Sequence, residues 1–402
     1  MGHERGPEPR MTLPNSGRDD RIDALRGLAL LGILLVNIQS FVWGGTSPAG
    51  YLLDDATALD HALFVLIVIF VNTKFLPLFA MLFGAGFALL FARLRNVTSA
   101  PHAVFRRRML FLLAFGVLHG VLFYFGDITQ MYALAGLVLL LYDGHGLVAL
   151  RRAVVLWWSG ALALTALLTW GVAGSLPDPI ELASELEANF AVFTGEGFFA
   201  QLPTRVSLFV EIVFANLIGL PMAVALMLTG MLAQRAGWLA DLAAPAWRKA
   251  LVIGLGVGLP ASLVYGVLLY TEAEMHGLGA YSAVAAMPGA LGATLSFAYA
   301  ALFLRHASPT LLRWLSPAGR MPLTNYLLQS IAMGALLSGW GFALAPRLGY
   351  AETAGVALAI FAAQLALSHW WLRRFGQGPL ELAWRKWTYS GMPPPAALRT
   401  GE

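Results

Sequence analysis

The sequence predicts an all-α, polytopic membrane protein with about ten transmembrane helices and both termini in the cytoplasm. Hydrophobic residues make up 58% of the 402 positions and charged residues only 12%, and the apolar runs are too long for the strands or core helices of a soluble domain. The chain has no cysteine, which excludes disulfides, thiol nucleophiles and thiolate metal sites. The net charge of +4 does not indicate a nucleic acid partner, because the basic residues are spread over separate loops.

The predicted spans follow from the long apolar runs and from the residues that interrupt them. A polar tail over residues 1–22 precedes a first run that is too long for a signal-peptide core, so we expect an uncleaved first span. Lys74 and Pro77 interrupt the second run, which predicts a short interfacial or tilted segment before a span from Phe75 to Leu94. The ten predicted spans are residues 24–43, 59–92, 108–125, 128–143, 152–174, 205–233, 249–271, 283–304, 320–343 and 351–372.

The basic residues fix the predicted orientation. Of the 26 Lys and Arg residues, all but Lys74, Arg205 and Arg347 fall in segments on one side of this topology, and cytoplasmic loops are the ones that carry such an excess. We therefore expect a membrane domain over residues 23–372 and a cytoplasmic interfacial tail over residues 373–402. The largest outer segment, residues 176–204, has apolar residues at helical spacing opposite acidic ones, which predicts an amphipathic surface helix, with a plain connector as the alternative.

His119 and Asp127 interrupt one apolar stretch, Met109 to Tyr142. Ionisable residues inside a membrane are costly and are therefore functional candidates. A histidine there could act as a general base with a carboxylate orienting it, although a neutral histidine hydrogen-bonded between helices is the alternative. Eight residues separate the two, so they touch only if the chain folds back, which Gly126 permits. The polar residues around this turn, Tyr132 among them, predict a cavity.

The first predicted span carries a polar stripe. Asp23 and Arg26 are three residues apart and can pair on one helix face. Asn37 lies eleven residues beyond Arg26, about 16 Å further along the axis and close to the same face. We expect this stripe to face the third and fourth spans and to share a cavity with His119. The alternative is a headgroup anchor at Arg26 and a helix–helix contact at Asn37.

Further polar residues are candidates for substrate binding, because they lie in or beside the predicted spans. Asn325 and Gln329 are four residues apart and share a helix face. No metal-ligand spacing, P-loop, dinucleotide fingerprint or GxSxG motif is present, so we expect no metal and no permanently bound cofactor. These candidates are Lys74, Arg106, Arg107, Arg108, Arg320, Asn325 and Gln329.

Five motifs over nearly the whole chain resemble the YeiB-like family, domain of unknown function 418. They are RIDALRGLALLGILLVNIQSF at 21–41, KFLPLFAMLFGAGFAL at 74–89, GVLHGVLFYFGDITQMYALAG at 116–136, GRMPLTNYLLQS at 319–330 and GPLELAWRKWTY at 378–389. This family is grouped with a transmembrane acyltransferase superfamily that includes the lysosomal heparan-α-glucosaminide acetyltransferase. The resemblance implies a bacterial inner-membrane enzyme that passes an acyl group from cytoplasmic acyl-CoA, its co-substrate, to a small-molecule or glycan amine or hydroxyl.

The resemblance also bears on the residues of the site. Envelope acyltransferases carry an arginine and, eleven residues later, a histidine on the first helix, where this chain has Arg26 and Asn37. The lysosomal enzyme resembles this chain in having asparagine there, and the nearest counterpart of its proposed catalytic histidine is His61. We prefer His119, which belongs to the YeiB-like motif itself, with Asp127 beside it, and keep His61 as the second choice.

In the predicted mechanism, phosphates of acyl-CoA bind arginines at the inner mouth of the protein, since guanidinium groups suit phosphate oxygens. Asp127 and Tyr132 would position the acceptor. The candidate arginines are Arg26, Arg106, Arg107, Arg108 and Arg320.

Two other classes of function stay open. Ten spans in a five-plus-five arrangement with polar residues near the membrane centre also suit a small-solute transporter or channel. Against it, the two halves show no corresponding interrupted spans, and the polar residues concentrate in spans one to four. A non-catalytic membrane assembly partner is the third class. The expected partners are the lipid bilayer, acyl-CoA and an acceptor, without nucleic acid, and a homodimer is left open.

Overall fold

The computed structural model describes residues 19–43, 55–172, 179–274 and 280–390, which form helices and no strand. The predicted all-α class is therefore confirmed. Residues 1–18 and 391–402 of the predicted tails, and residues 176–178 of the predicted outer segment, lie outside the described residues. The α-helices are α1 (Asp20–Trp43), α2 (Ala58–Phe70), α3 (Phe75–Val97), α4 (Pro101–Leu122), α5 (Thr129–Leu139), α6 (Leu147–Val172), α7 (Pro179–Gly195), α8 (Leu202–Arg235), α9 (Pro245–Ile253), α10 (Leu259–Glu274), α11 (Ala280–Gly292), α12 (Leu295–His306), α13 (Pro309–Arg320), α14 (Pro322–Leu337), α15 (Tyr350–Phe375) and α16 (Pro379–Thr388).

Seven segments in the described part of the chain are long and apolar enough to cross a membrane. The predicted third, fourth and ninth spans correspond to α4, α5 and α14. Of these, α4 carries three consecutive arginines, and α5 and α14 have only 11 and 16 residues. The membrane class is confirmed, while the total of ten spans and their orientation stay predictions. The seven segments are Asp20–Phe41, Ala58–Val97, Leu147–Gly171, Leu202–Arg235, Pro245–Ala273, Val284–His306 and Tyr350–Phe375.

Several spans are interrupted. The predicted break before Phe75 is confirmed, because α2 ends at Phe70 and α3 begins at Phe75. The turn between them holds Thr73 at a φ of 62°, a left-handed conformation that is strained for a β-branched residue. In the second half, a π-helical turn over Gly254–Gly258 separates α9 from α10, and a short break separates α11 from α12. Both halves therefore contain an interruption in their second predicted span, and the second half contains another in its third.

The first helix packs most closely on α13, an amphipathic helix that the sequence did not predict as a separate element, and also on α15, α14 and α3. The α1–α13 crossing is close because it is built on glycine, where a Cβ at Gly27 or Gly319 would overlap the main chain of the other helix. The prediction that the polar stripe of α1 faces the third and fourth spans is therefore wrong. Contact with the segment between α4 and α5 occurs at the far end of α1, where Ser40 and Tyr124 hydroxyls are 2.8 Å apart.

The helix α16 lies across one end of the bundle and joins α4 to α14. The Trp384 indole N–H donates to the Arg108 carbonyl over 2.8 Å, and the Arg108 guanidinium lies 3.5 Å from the Trp384 ring. The carboxylate of Glu381 accepts hydrogen bonds from the N–H groups of Leu323 and Thr324 and from the Thr324 hydroxyl. A carboxylate at a helix N-terminus satisfies otherwise unpaired amide groups. We call the end of the bundle that carries α16 the basic end and define it by Arg26, Arg95, Arg108, Arg235 and Arg320.

Candidate active site

The side chains of α4, α14 and the turn after α4 meet in a buried hydrogen-bonded row. Nδ1 of His119 is 2.8 Å from Oδ2 of Asp127, and its Nε2 is 2.9 Å from Oγ of Ser330. The contact of His119 with Asp127, which the sequence allows only if the chain folds back, is therefore present. It is reached because α4 ends at Leu122 and the chain folds back before α5 begins at Thr129.

The turn that carries Asp127 is fixed by several hydrogen bonds. Its Oδ1 accepts from the Thr129 main-chain N–H over 2.7 Å and from the Thr129 hydroxyl over 2.8 Å. Its carbonyl accepts from the side-chain amides of Gln130 and Asn216, over 2.9 and 3.0 Å. The approach of this turn to α4 depends on Gly116, where a Cβ would overlap Thr129 and Asp127. The carboxylate is thus held in one orientation towards His119.

These contacts assign the proton positions along the row. An ionised Asp127 can only accept hydrogen bonds. Nδ1 of a neutral His119 must therefore carry the proton that it donates to Asp127, which leaves Nε2 with a lone pair. The Ser330 hydroxyl then donates to Nε2. This is the arrangement of groups in which an imidazole removes a proton from a hydroxyl.

The row is enclosed by packed side chains. His119 is 2% exposed, Asp127 0% and Ser330 1%. The Phe115 ring stacks on the imidazole with ring centres 5.5 Å apart, and the Tyr326 ring lies 4.8 Å away. The prediction of an open cavity shared by His119 and α1 is therefore wrong. A substrate reaches His119 only if side chains around it move.

Two buried polar atoms beside the row lack a hydrogen bond within the described residues. One is the Tyr326 hydroxyl, which lies near Asp127, and the other is Oε1 of Gln130. Each of these atoms can therefore take part in a further hydrogen bond.

Two polar residues of α1, Asp23 and Arg26, form a separate pair at the basic end. Arg26 pairs with Asp23 over 2.8 Å, as predicted, and its guanidinium also lies 3.4 Å from the Gly319 carbonyl. Asn37 is half-buried further along the same helix. Arg26 thus joins α1 to α13, and neither it nor Asp23 belongs to the row around His119.

The predicted amide candidates lie on one face of α14, where they bind α15 and α1. The Asn325 amide donates to Ser368 over 3.0 Å, and the Gln329 amide donates to Gln364 over 3.1 Å and to the Leu30 carbonyl over 3.3 Å. Tyr132 donates to the Leu76 carbonyl over 2.7 Å. In the structure these groups join helices to one another.

The predicted arginines do not form a single cluster. Arg106 is exposed, Arg107 donates to the Ser390 carbonyl over 2.6 Å, and Arg108 stacks on Trp384. Arg320 instead lines a pocket of about 500 Å³ between α13 and α15, together with Arg313 and Arg373. Its Nε is buried without a hydrogen-bond partner in the described part of the chain. This pocket, which we call the arginine pocket, is the place where several guanidinium groups could meet one anion.

Lys74 and His61 both contact α10. The ammonium group of Lys74, which is 0% exposed, donates to the Val68 carbonyl over 3.3 Å and lies 5.4 Å from the centre of the Tyr265 ring. Nδ1 of His61 is 3.1 Å from the Tyr270 hydroxyl. His119 is held at hydrogen-bond distance by both a carboxylate and a hydroxyl, those of Asp127 and Ser330.

Ser330 is the residue that the sequence did not single out. It is the last residue of the motif GRMPLTNYLLQS and lies 211 positions from His119. A serine inside an apolar helix is an ordinary feature, and no spacing rule connects it with a histidine on another helix. A family alignment could have found it, but a single sequence could not.

Comparison with known proteins gives relatives over nearly the full length. A family model described as "Protein of unknown function (DUF418)" matches residues 232–391, which include Ser330. The chain is 28% identical to "Uncharacterized protein YxaH" of Bacillus subtilis (strain 168), over 93% of this chain and 94% of that protein.

Two further relatives match over a similar share of the chain. Identity is 30% to "Uncharacterized protein YeiB" of Escherichia coli (strain K12), over 92% of this chain and 96% of that protein. Identity is also 30% to "Uncharacterized 39.9 kDa protein in amylase 3'region" of Bacillus acidopullulyticus, over 92% of this chain and 95% of that protein. No solved structure matches.

Proposed function

The chain belongs to the YeiB-like DUF418 family, and we propose that it is a membrane-embedded acyltransferase whose reacting centre is His119 with Asp127 and Ser330. The observation that carries this proposal is the position of His119, which bridges a carboxylate on one side and a hydroxyl on the other, at 2.8 and 2.9 Å. Because the relatives come from bacteria, we place the protein in a bacterial inner membrane.

The chemistry follows from the three groups. His119 acts as the general base that takes a proton from a hydroxyl or amine as it attacks an acyl carbon. Asp127 keeps Nδ1 protonated and stabilises the imidazolium that forms. The enclosed position of the row supports acyl transfer over hydrolysis, because exclusion of water protects a reactive acyl group.

We propose acyl-CoA as the donor and place its phosphates in the arginine pocket. Three guanidinium groups line this pocket, and planar guanidinium forks match phosphate oxygens. Arg320 of the pocket is the last residue of α13, and the next helix along the chain, α14, carries Ser330. Ser330 is eight residues beyond Pro322, the first residue of α14, or about 12 Å along the helix. The acceptor, a small-molecule or glycan amine or hydroxyl, then approaches from the opposite end of the bundle.

The test is acyl transfer by purified protein in lipid nanodiscs, with labelled acetyl-CoA and a panel of amines and sugars. Loss of a general base costs about 10²- to 10⁴-fold in rate, so His119→Ala should nearly abolish transfer. His61→Ala is the matched control, because it removes the other histidine with a hydroxyl partner. Transfer that depends on His61 and not on His119 would reject this centre. A wild-type protein that neither binds acetyl-CoA nor transfers acetyl would reject the enzyme.

A small-solute transporter is the second candidate, and Lys74 favours it. A fully buried ammonium group beside an interrupted helix is the kind of site at which transporters bind ions and substrates. Proteoliposomes distinguish the two functions. An acyltransferase modifies an added acceptor in the presence of acetyl-CoA, whereas a transporter accumulates the unmodified solute without it, and Lys74→Met then abolishes that uptake.

A further inference from the structure

We propose that Ser330 is the nucleophile of the transfer and that the acyl group rests on its Oγ between two half-reactions. This inference rests on the proposed acyltransferase function and adds the covalent intermediate to it. Its basis is the contact between Ser330 Oγ and His119 Nε2, 2.9 Å long and fully buried. An imidazole held by a carboxylate on its other nitrogen is the group that activates a serine hydroxyl.

The hydroxyl of Ser330 lies closer to His119 than to the main chain of its own helix. Serine and threonine inside helices usually donate to the carbonyl four residues earlier. Ser262 does so over 2.7 Å, and Thr388 over 2.7 Å. For Ser330 the same contact, to the Tyr326 carbonyl, is 3.5 Å, which is too long for a good hydrogen bond. We therefore assign the Ser330 proton to the shorter contact, the one with His119.

The carboxylate contacts make His119 an acceptor at Nε2. Asp127 receives two hydrogen bonds from Thr129 on one oxygen and the Nδ1–H of His119 on the other. Both oxygens of Asp127 act as acceptors in these contacts, so the proton of the third contact is carried by Nδ1. His119 thus keeps its lone pair at Nε2, facing Ser330.

Two balanced steps follow. In the first, Oγ of Ser330 bonds to the acyl carbon of a thioester, the carbon–sulfur bond breaks, and the serine proton passes through Nε2 of His119 to the leaving sulfur. In the second, the acceptor nitrogen or oxygen bonds to the acyl carbon, and its proton passes to Nε2. The carbon–Oγ bond then breaks and the proton returns to Oγ. No electron leaves or enters the site.

An intermediate on Ser330 also suits the position of the site. The row is enclosed between helices, and the arginine pocket lies at the basic end of the bundle. With a covalent carrier, the donor and the acceptor can enter one after the other, from different ends, and use the same atom. A direct transfer would require both to occupy the enclosed space around His119 together.

Mass spectrometry tests this inference. Protein in nanodiscs is incubated with acetyl-CoA without acceptor, quenched in acid and digested. We expect an added acetyl group on the peptide that contains Ser330, and its loss when hydroxylamine or a productive acceptor is added. Ser330→Ala and His119→Ala should remain unlabelled. Ser262→Ala is the matched control, because it removes a buried helical hydroxyl that donates to its own helix, and it should label as the wild type does.

A second variant covers the case in which Ser330→Ala fails to fold. Ser330→Cys keeps a nucleophile in place and should form a thioester that neutral hydroxylamine releases. Wild-type transfer without an acyl-serine, or full transfer by a folded Ser330→Ala protein, would overturn the role of Ser330 and leave the acyltransferase intact. Absence of both transfer and labelling in the wild type would overturn the function as well.

Discussion

Nε2 of His119 lies 2.9 Å from Oγ of Ser330, although 211 residues separate them in the chain. The two side chains come from α4 and α14, and neither helix is among the seven segments that are long and apolar enough to span a membrane. At the basic end, α16 joins these helices. Its Trp384 contacts α4, and its Glu381 contacts α14. The geometry of the site therefore depends on an element that holds no catalytic group.

We expect Asp127→Asn to keep the fold and to lose about 10⁴-fold in transfer rate. The amide oxygen can still accept from Thr129, but its NH₂ group then faces His119. Nδ1 must become the acceptor, which moves the imidazole proton to Nε2 and directs it at Ser330. A change of this kind costs about 10⁴-fold in a serine protease. Single-turnover transfer, with a thermal unfolding curve beside it, measures both effects.

Thr129→Val is the control for that change. It removes one hydrogen bond to Asp127 and preserves the carboxylate, the main-chain donor and the histidine tautomer. We expect a far smaller loss of rate than with Asp127→Asn. Equal losses of transfer rate in the two variants would mean that the tautomer of His119 does not determine the rate.

Tyr326→Phe separates a structural from a catalytic role of the Tyr326 hydroxyl. This hydroxyl is buried without a hydrogen bond in the described part of the structure, so its removal should leave the free energy of unfolding unchanged or raise it by about 1 kcal/mol. If it donates to the oxygen that becomes negative in the transition state, transfer should fall about 10²- to 10³-fold. An unchanged rate would restrict Tyr326 to packing against His119.

Some of these features could be predicted from the sequence, and the reason differs from residue to residue. Asp127 could be paired with His119 because the two lie on either side of one glycine-containing turn. The break before Phe75 could be placed because a lysine and a proline interrupt a run too long for one helix. In both cases the interacting residues are close in the chain.

Contacts between distant helices could not be predicted in the same way. The shared face of Asn325 and Gln329 follows from helix periodicity, but its partner helix, α15, does not. The polar stripe of α1 was assigned to the wrong neighbours, because periodicity gives a face and not what packs on it. Ser330 was missed for the same reason. The basic residues were grouped by side of the membrane, although Arg107 and Arg108 contact Ser390 and Trp384 while Arg320 lines the arginine pocket.

Arg320→Ala should weaken acetyl-CoA binding and leave kcat nearly unchanged. Hydrogen bonds to charged groups contribute about 1.5–3 kcal/mol, which corresponds to about a 10- to 100-fold increase in Kd. Isothermal titration in nanodiscs measures the Kd. Arg347→Ala, which removes an exposed arginine beyond the arginine pocket, should bind as the wild type does. Equal weakening in both variants would show a general effect of charge and remove the pocket from the donor site.

Glu381→Gln should loosen the attachment of α16 to α14. The variant keeps the size of the side chain and loses the negative charge of the carboxylate. This carboxylate accepts three hydrogen bonds from Leu323 and Thr324. Loss of a helix N-terminal cap costs about 1 kcal/mol. Hydrogen exchange of the Leu323 and Thr324 amides should therefore become faster, and transfer should fall with it. Glu352→Gln is the control, because that carboxylate caps α15 at an exposed position.

The orientation of the bundle can be tested cleanly because the chain has no cysteine. Glu185→Cys places one thiol on the exposed surface of α7, and Lys386→Cys places one on α16. Since basic segments stay in the cytoplasm, a membrane-impermeant maleimide should label the first variant in intact cells and the second only after permeabilisation. Labelling of both from outside would mean that the number of crossings between α7 and α16 is even and not odd. The reverse pattern would invert the protein, and acyl-CoA from the cytoplasm could then not reach the arginine pocket.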